Sequence, residues 1–266
     1  YKKGFASAND GNISFRLSEN EVLCTPTQIC KGFMKPEDLC IVDMEGNQLA
    51  GQRKRTSEIF LHLTIMKHRP EIKSVCHCHP PHATAFGIAR QPIPQCVLPE
   101  VEIYFSDVPI ADYKIPGGQE FADSVLPFVD KTNIIVLGNH GTVSYDTTIE
   151  RAYWWSELLD GYCRMLFLAK QLGNISYFNE QEVKDLMELK KKFGMTDPRA
   201  DIENCELCAN DVFRDSWKET KVEHRAFTPP YYKSQNQQAA GGSLNSSDQE
   251  ALIQEITNRV MAALKG

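Results

Sequence analysis

No stretch of this chain approaches the roughly 20 consecutive apolar residues that a membrane-spanning helix needs, and no Lys/Arg-rich block or basic stripe is present. The first absence argues against a membrane protein. The second, with a net charge of −6, argues against nucleic acid as a partner. No internal repeat is evident, and no secretory signal opens the chain: "YKKGFASANDGN" reads as the middle of a domain. The single CxxC, Cys205–Cys208, has no second pair to complete a four-thiolate site. Cysteine itself is not scarce. There are nine, an odd number, and two flank His77, which argues against a disulfide framework and for a reducing cytosol. With 266 residues and 42% apolar content, the chain has enough for one good core and an appendage.

Strands are expected at residues 12–17, 21–25, 39–44, 74–79, 133–138 and 142–145, from alternation or short apolar runs bounded by turn residues. Residues 55–70 predict a helix that Thr56 or Ser57 caps, with Ile59, Phe60, Leu63 and Met66 on one face and Pro70 at its end. Further helices are expected from His82 to about Ala89, over 117–129, from Thr147 to Leu172, and over about 180–193. Residues 90–117 read as proline-rich with strand-like pieces, as in "VEIYFSDVPIADY". After about residue 228 the composition turns polar and rich in Gly, Ser and Gln. The expected organisation is a catalytic domain over 1–228, a flexible linker over 229–246 and an amphipathic helix over 247–266, whose apolar face needs a partner.

The stretch "KSVCHCHPPHATA" carries the first chemistry. On a strand, residues two apart share a face, so His77 and His79 point one way and Cys76 and Cys78 the other. A bare HxH is either half a metal site or two ordinary histidines. Zinc needs three or four ligands. His140 stands in "VLGNHGTVS" at a sheet rim, and Glu58 in "RTSEIF" falls in the first turn of a helix, where a carboxylate is also a simple dipole partner. Together these four residues would make a His3Glu site. Anion recognition has three candidate segments: Gly11-Asn12 in a loop, where glycine lets backbone N–H groups converge, the hydroxyls of "CTPT", and Thr56-Ser57 at a helix N-terminus. Each alone is an ordinary turn or cap.

In this order, "GNIS", "TPT", "TSE", "HCH" and "NHG" resemble the class II aldolase/adducin family, nearest its L-fuculose-1-phosphate aldolase branch, over about residues 4–195. The resemblance implies an α/β/α sandwich around a largely antiparallel sheet, and a homotetramer with sites between subunits. It implies Zn2+ held by Glu58, His77, His79 and His140, with Glu58 also the catalytic base. A sugar phosphate would be bound by Gly11, Asn12, Thr27, Gln28, Thr56 and Ser57. The implied reaction is cleavage to dihydroxyacetone phosphate and an aldehyde through a metal-stabilised enediolate. Glu58 favours aldol chemistry, because the related pentulose-phosphate 4-epimerases carry Asp there. A decarboxylase on the same fold, or a non-catalytic adducin-like module, are the rival readings.

The chain departs from the family pattern in places. Gln28 replaces the usual glycine, Leu98 stands near one family tyrosine and Phe193 at another, and the family's first helix is missing. Glu100, Glu102 or Tyr113 are candidate replacement proton donors, with Glu102 reading as a surface residue. The tail resembles the encapsulation peptides of bacterial microcompartment cargo, which implies a shell-protein partner. A helix docking on its own tetramer is the alternative.

Overall fold

The computed structural model of the protein describes residues 1–105 and 107–195. Its strands are β1 (Asn12–Arg16), β2 (Val22–Cys24), β3 (Cys40–Val42), β4 (Gln48–Ala50), β5 (Ser74–Cys78), β6 (Ile110–Ala111), β7 (Ile134–Leu137) and β8 (Gly141–Asp146). They form one sheet in the order β4-β3-β2-β1-β5-β8-β7-β6. Every neighbouring pair is antiparallel except β6 and β7. The helices are α1 (Ile59–His68), α2 (Pro81–Ala89), α3 (Pro99–Tyr104), α4 (Gln119–Asp123), α5 (Leu126–Val129), α6 (Ile149–Leu172) and α7 (Glu180–Lys192).

Strand alternation divides the core between two faces. Val75, Ile135, Leu137, Val143 and Tyr145 meet α1, α4 and α5 on one side. Ile134 and Val136 meet α2, α3 and α6 on the other. Cys76 and Cys78 join that second side, packed with Phe5 and Ala152. The result is the expected α/β/α sandwich around a largely antiparallel sheet. Five apolar side chains of α1 are buried: Ile59, Leu61, Leu63, Ile65 and Met66. At roughly 1.5–3 kcal/mol each for the larger aliphatics, they fix the helix, and with it the backbone of the residue that precedes it.

That residue is Glu58. The helix begins at Ile59, later than expected, so Glu58 is its N-cap rather than a member of the first turn, and neither Thr56 nor Ser57 caps it. The hydroxyl of Thr56 instead accepts the Glu58 backbone N–H at 3.3 Å. The "VEIY" segment is helical and not strand-like. Pro99 starts α3 and Val101 and Ile103 are buried from it, so burial overrides the β preference of these residues. Residues 119–129 form two short helices rather than one. Glu102 is 3% exposed, which corrects its reading as a surface residue. Cys24, Cys30, Cys40, Cys76, Cys78 and Cys163 are free thiols, as expected, whereas Cys96 is disulfide-bonded. Cys205–Cys208, the linker and the terminal helix lie outside the described residues. Among the described residues no helix is long and apolar enough to cross a membrane.

Candidate metal centre

Three neighbouring strands bring the histidines together. His77 lies on β5, opposite Asn12 of β1 on one side and Val143 of β8 on the other. His79 immediately follows β5, its N–H donating to the Phe5 carbonyl at 2.8 Å. Pro80 and Pro81 then end the strand and open α2. His140 sits in the β7–β8 turn, which Asn139 closes at φ 55. Gly141 has a steric reason to be glycine: a Cβ there would lie 2.5 Å from both the Cys78 oxygen and the His79 ring. The three ring centroids are 4.8–5.0 Å apart, and one nitrogen from each ring lies within 4.8 Å of the others.

Glu58 completes the group. Its Oε2 is 3.3 Å from His77 Nε2 and its Oε1 3.4 Å from His140 Nε2. The His77 Nδ1–H donates to the Thr142 carbonyl at 2.8 Å, which leaves Nε2 bare and facing the cluster. His79 turns Nδ1 toward Asp10, 3.5 Å from its Oδ2, and Nε2 toward His77 Nε2 at 3.2 Å. A proton on the Asp10 side leaves two bare imidazole nitrogens facing each other, a repulsive contact that a cation between them relieves. Burial pushes His77 well below the ordinary histidine range, and the His140 and His79 rings push it further. Burial also lowers His140, against the pull of Glu58. His140 Nδ1 is buried without a hydrogen-bond partner among the described residues. Three imidazoles beside one carboxylate are the donor set of a zinc-type site, so these residues fit such an ion.

Behind Glu58 runs a buried chain that the sequence did not disclose. Asn12 Nδ2 donates to Glu58 Oε2 at 2.7 Å, and Asn12 Oδ1 accepts from His62 Nε2. His62 Nδ1 is 2.7 Å from the Ser14 hydroxyl. The Asn12 side-chain amide is thus committed to Glu58 and His62, which leaves its backbone for the anion-binding role expected of the Gly11-Asn12 segment. The available signal was helical spacing, since His62 stands four residues after Glu58.

The three candidate anion-binding segments lie side by side. The Thr25 hydroxyl accepts from Ile13 N at 3.1 Å, Thr56 N donates to the Thr25 carbonyl at 3.1 Å, and Thr27 N to the Lys54 carbonyl at 3.0 Å. Gly11 has φ 75 and Gln28 φ 55, so Gln28 keeps the left-handed conformation that glycine adopts most easily. Thr56 is buried, while Gln28 and Ser57 are exposed. Lys31 Nζ ties two of the loops, donating to the Asn9 and Ile29 carbonyls at 2.9 Å each. Of the alternative proton donors, Glu102 accepts from Cys96 N, and Glu100 and Tyr113 are exposed.

Residues 1–167 match the class II aldolase and adducin N-terminal domain. An L-fuculose phosphate aldolase of Methanococcus maripaludis strain C5 is 32% identical over 65% of this chain and 92% of its own. A 3-oxo-tetronate 4-phosphate decarboxylase of Haemophilus influenzae is 30% identical over 70% and 90%. The crystal structure of YgbL from Klebsiella pneumoniae, described across aldolase, epimerase and decarboxylase activities, superposes with a TM-score of 0.63. It is 29% identical and covers 70% of this chain and 91% of that one.

Proposed function

The chain belongs to the class II aldolase and adducin family, and we propose that it is a zinc-dependent aldolase cleaving a sugar phosphate to dihydroxyacetone phosphate and an aldehyde. The observation that carries this reading is the approach of Glu58 to the nitrogens of His77 and His140 at 3.3–3.4 Å, with His79 beside them. Glu58, His77, His79 and His140 would hold the ion. When bound, a divalent cation supplies Lewis-acid polarisation of the substrate carbonyl, an effect of several kcal/mol. The His77 and His140 imidazoles, kept neutral by burial, leave that positive charge undiminished. Glu58 takes the proton from the hydroxyl whose carbon becomes the aldehyde and delivers it to the carbon freed by bond cleavage, a role worth about 10²–10⁴ in rate. Gly11, the Asn12 backbone, Thr27, Gln28, Thr56 and Ser57 hold the phosphate and so fix the reacting carbons.

A second reading, decarboxylation of a phosphorylated 3-oxo acid, is favoured by the Haemophilus relative. Loss of carbon dioxide leaves a carbon that needs a proton, which the protonated Glu58 carboxyl would deliver. The deciding experiment offers both substrate classes to the metal-loaded protein. Triose phosphate with an aldehyde and no carbon dioxide supports the aldolase, carbon dioxide release without an aldehyde supports the decarboxylase, and neither set of products would refute both.

The assembly extends this reading. Trp154, Phe167, Leu168 and Leu172 of α6 are 60%, 56%, 48% and 91% exposed, which supports a homotetramer with sites between subunits. For residues 247–266 the proposed role is docking on a microcompartment shell protein, which would place the enzyme in a cytoplasmic compartment that retains its aldehyde product. Deleting residues 241–266 should then leave catalysis intact and abolish co-purification with shell proteins. Dissociation of the tetramer on deletion would favour docking on the enzyme itself.

A further inference from the structure

We propose that His62 is a positioning residue that sets the orientation of Glu58 through Asn12, so that one carboxylate oxygen is anchored and the other is left to the ion and the substrate. The inference rests on the metal-site reading above. His62 is fully buried on α1, four residues after Glu58, and each of its ring nitrogens has one partner. Those partners dictate its tautomer. Asn12 Oδ1 only accepts, so Nε2 carries the proton, and a neutral ring then has a bare Nδ1 to which Ser14 O–H donates. The same logic orients the amide: Nδ2 must face Glu58 Oε2, because the other orientation would set oxygen against oxygen. Ser14 and Asn12 lie on the same strand, β1, two residues apart, so strand and helix hold the two ends of the chain rigidly. The buried network is satisfied from Ser14 Oγ to Glu58, and it ends on the one carboxylate that reaches both His77 and His140.

Without the imidazole, the Asn12 amide loses the partner that aligns it, and Glu58 is free to rotate away from the cluster. The test uses the full-length protein loaded with Co2+ as a spectroscopic substitute. His62→Leu should weaken Co2+ binding by about tenfold, at the low end of the range for residues behind metal ligands, and shift the visible absorption of the bound ion. His62→Gln, whose amide still donates toward Asn12, should recover most of both. Asn12→Ala should reproduce the effect, and the Asn12→Ala/His62→Leu double variant should be no worse than either single one, as members of one chain are not additive. Ser14→Ala, which leaves His62 Nδ1 without its donor and loosens the ring, should shift the spectrum in the same direction by less, and serves if His62→Leu does not fold. Unchanged Co2+ affinity and spectrum in a folded His62→Leu or Ser14→Ala protein, or additive effects of the two single variants, would overturn the proposal. Failure of the wild-type protein to bind Co2+ would instead overturn the metal-site reading and the proposal with it.

Discussion

Acidification should destabilise this protein through His62 by an amount that the structure allows to be worked out. The ring is fully buried, and burial, with the His77 ring, lowers its pKa from 6.5 to about 3, against the pull of Glu58. The unfolded chain therefore binds the proton first, so stability from this group is present above the unfolded value and is lost as the pH falls below about 6.5. At 1.36 kcal/mol per unit, the loss is about 0.2 kcal/mol at pH 7 and about 2.7 kcal/mol at pH 4.5. Other groups titrate over the same range, so the assay is a difference. Urea unfolding of the wild type and of His62→Gln is followed at both pH values, at one protein concentration and with chelator present. Glutamine keeps an amide but cannot take up the proton. The stability advantage of the wild type over the variant should shrink by about 2.5 kcal/mol between pH 7 and 4.5, from the two figures above. A difference that stays constant between the two pH values would show that His62 is not held neutral, and the tautomer argument for Asn12 would fall with it.

Glu58→Ala should lower kcat by at least about 10²-fold in a triose-phosphate release assay, because both the proton carrier and one ion ligand go. Chelation should abolish activity and readdition of a divalent ion restore it. An ion at about 100 times its Kd should also raise unfolding stability by about 2.7 kcal/mol. Gly141→Ala should drive a methyl group into the His79 ring and the Cys78 carbonyl. Titration should show metal affinity reduced about tenfold or more, on the scale of lost support behind a ligand. Gly11→Ala meets φ 75 and a contact of 3.1 Å with the His77 oxygen, so thermal unfolding should report a loss of about 1–3 kcal/mol.

The alternation of β5 was legible because a strand fully buried on both faces must sort its side chains by parity: Val75 and His77 one way, Cys76 and Cys78 the other. His140 was legible from "NHG", since a tight turn between two apolar strands leaves its residues at the rim. The start of α1 was not, because Thr56, Ser57 and Glu58 are all acceptable at a helix N-terminus and only the packing of Ile59 decides among them. The "VEIY" helix was hidden by residues whose preference is for strands. The partner of Asn12 was hidden for a different reason. Its amide meets Glu58 across 46 positions and His62 across 50, and only the juxtaposition of β1 with α1 makes those contacts. The segments proposed to hold phosphate could be picked out one by one in the sequence, but their adjacency depends on the ties among Thr25, Thr56 and Ile13.

Metal content per chain, measured on the purified protein and on a His77→Ala/His79→Ala variant, tests the central claim most directly. One divalent ion per chain in the wild type and none in the variant is the result this account predicts. A wild type without bound metal after loading, or a variant that binds as much, would contradict it.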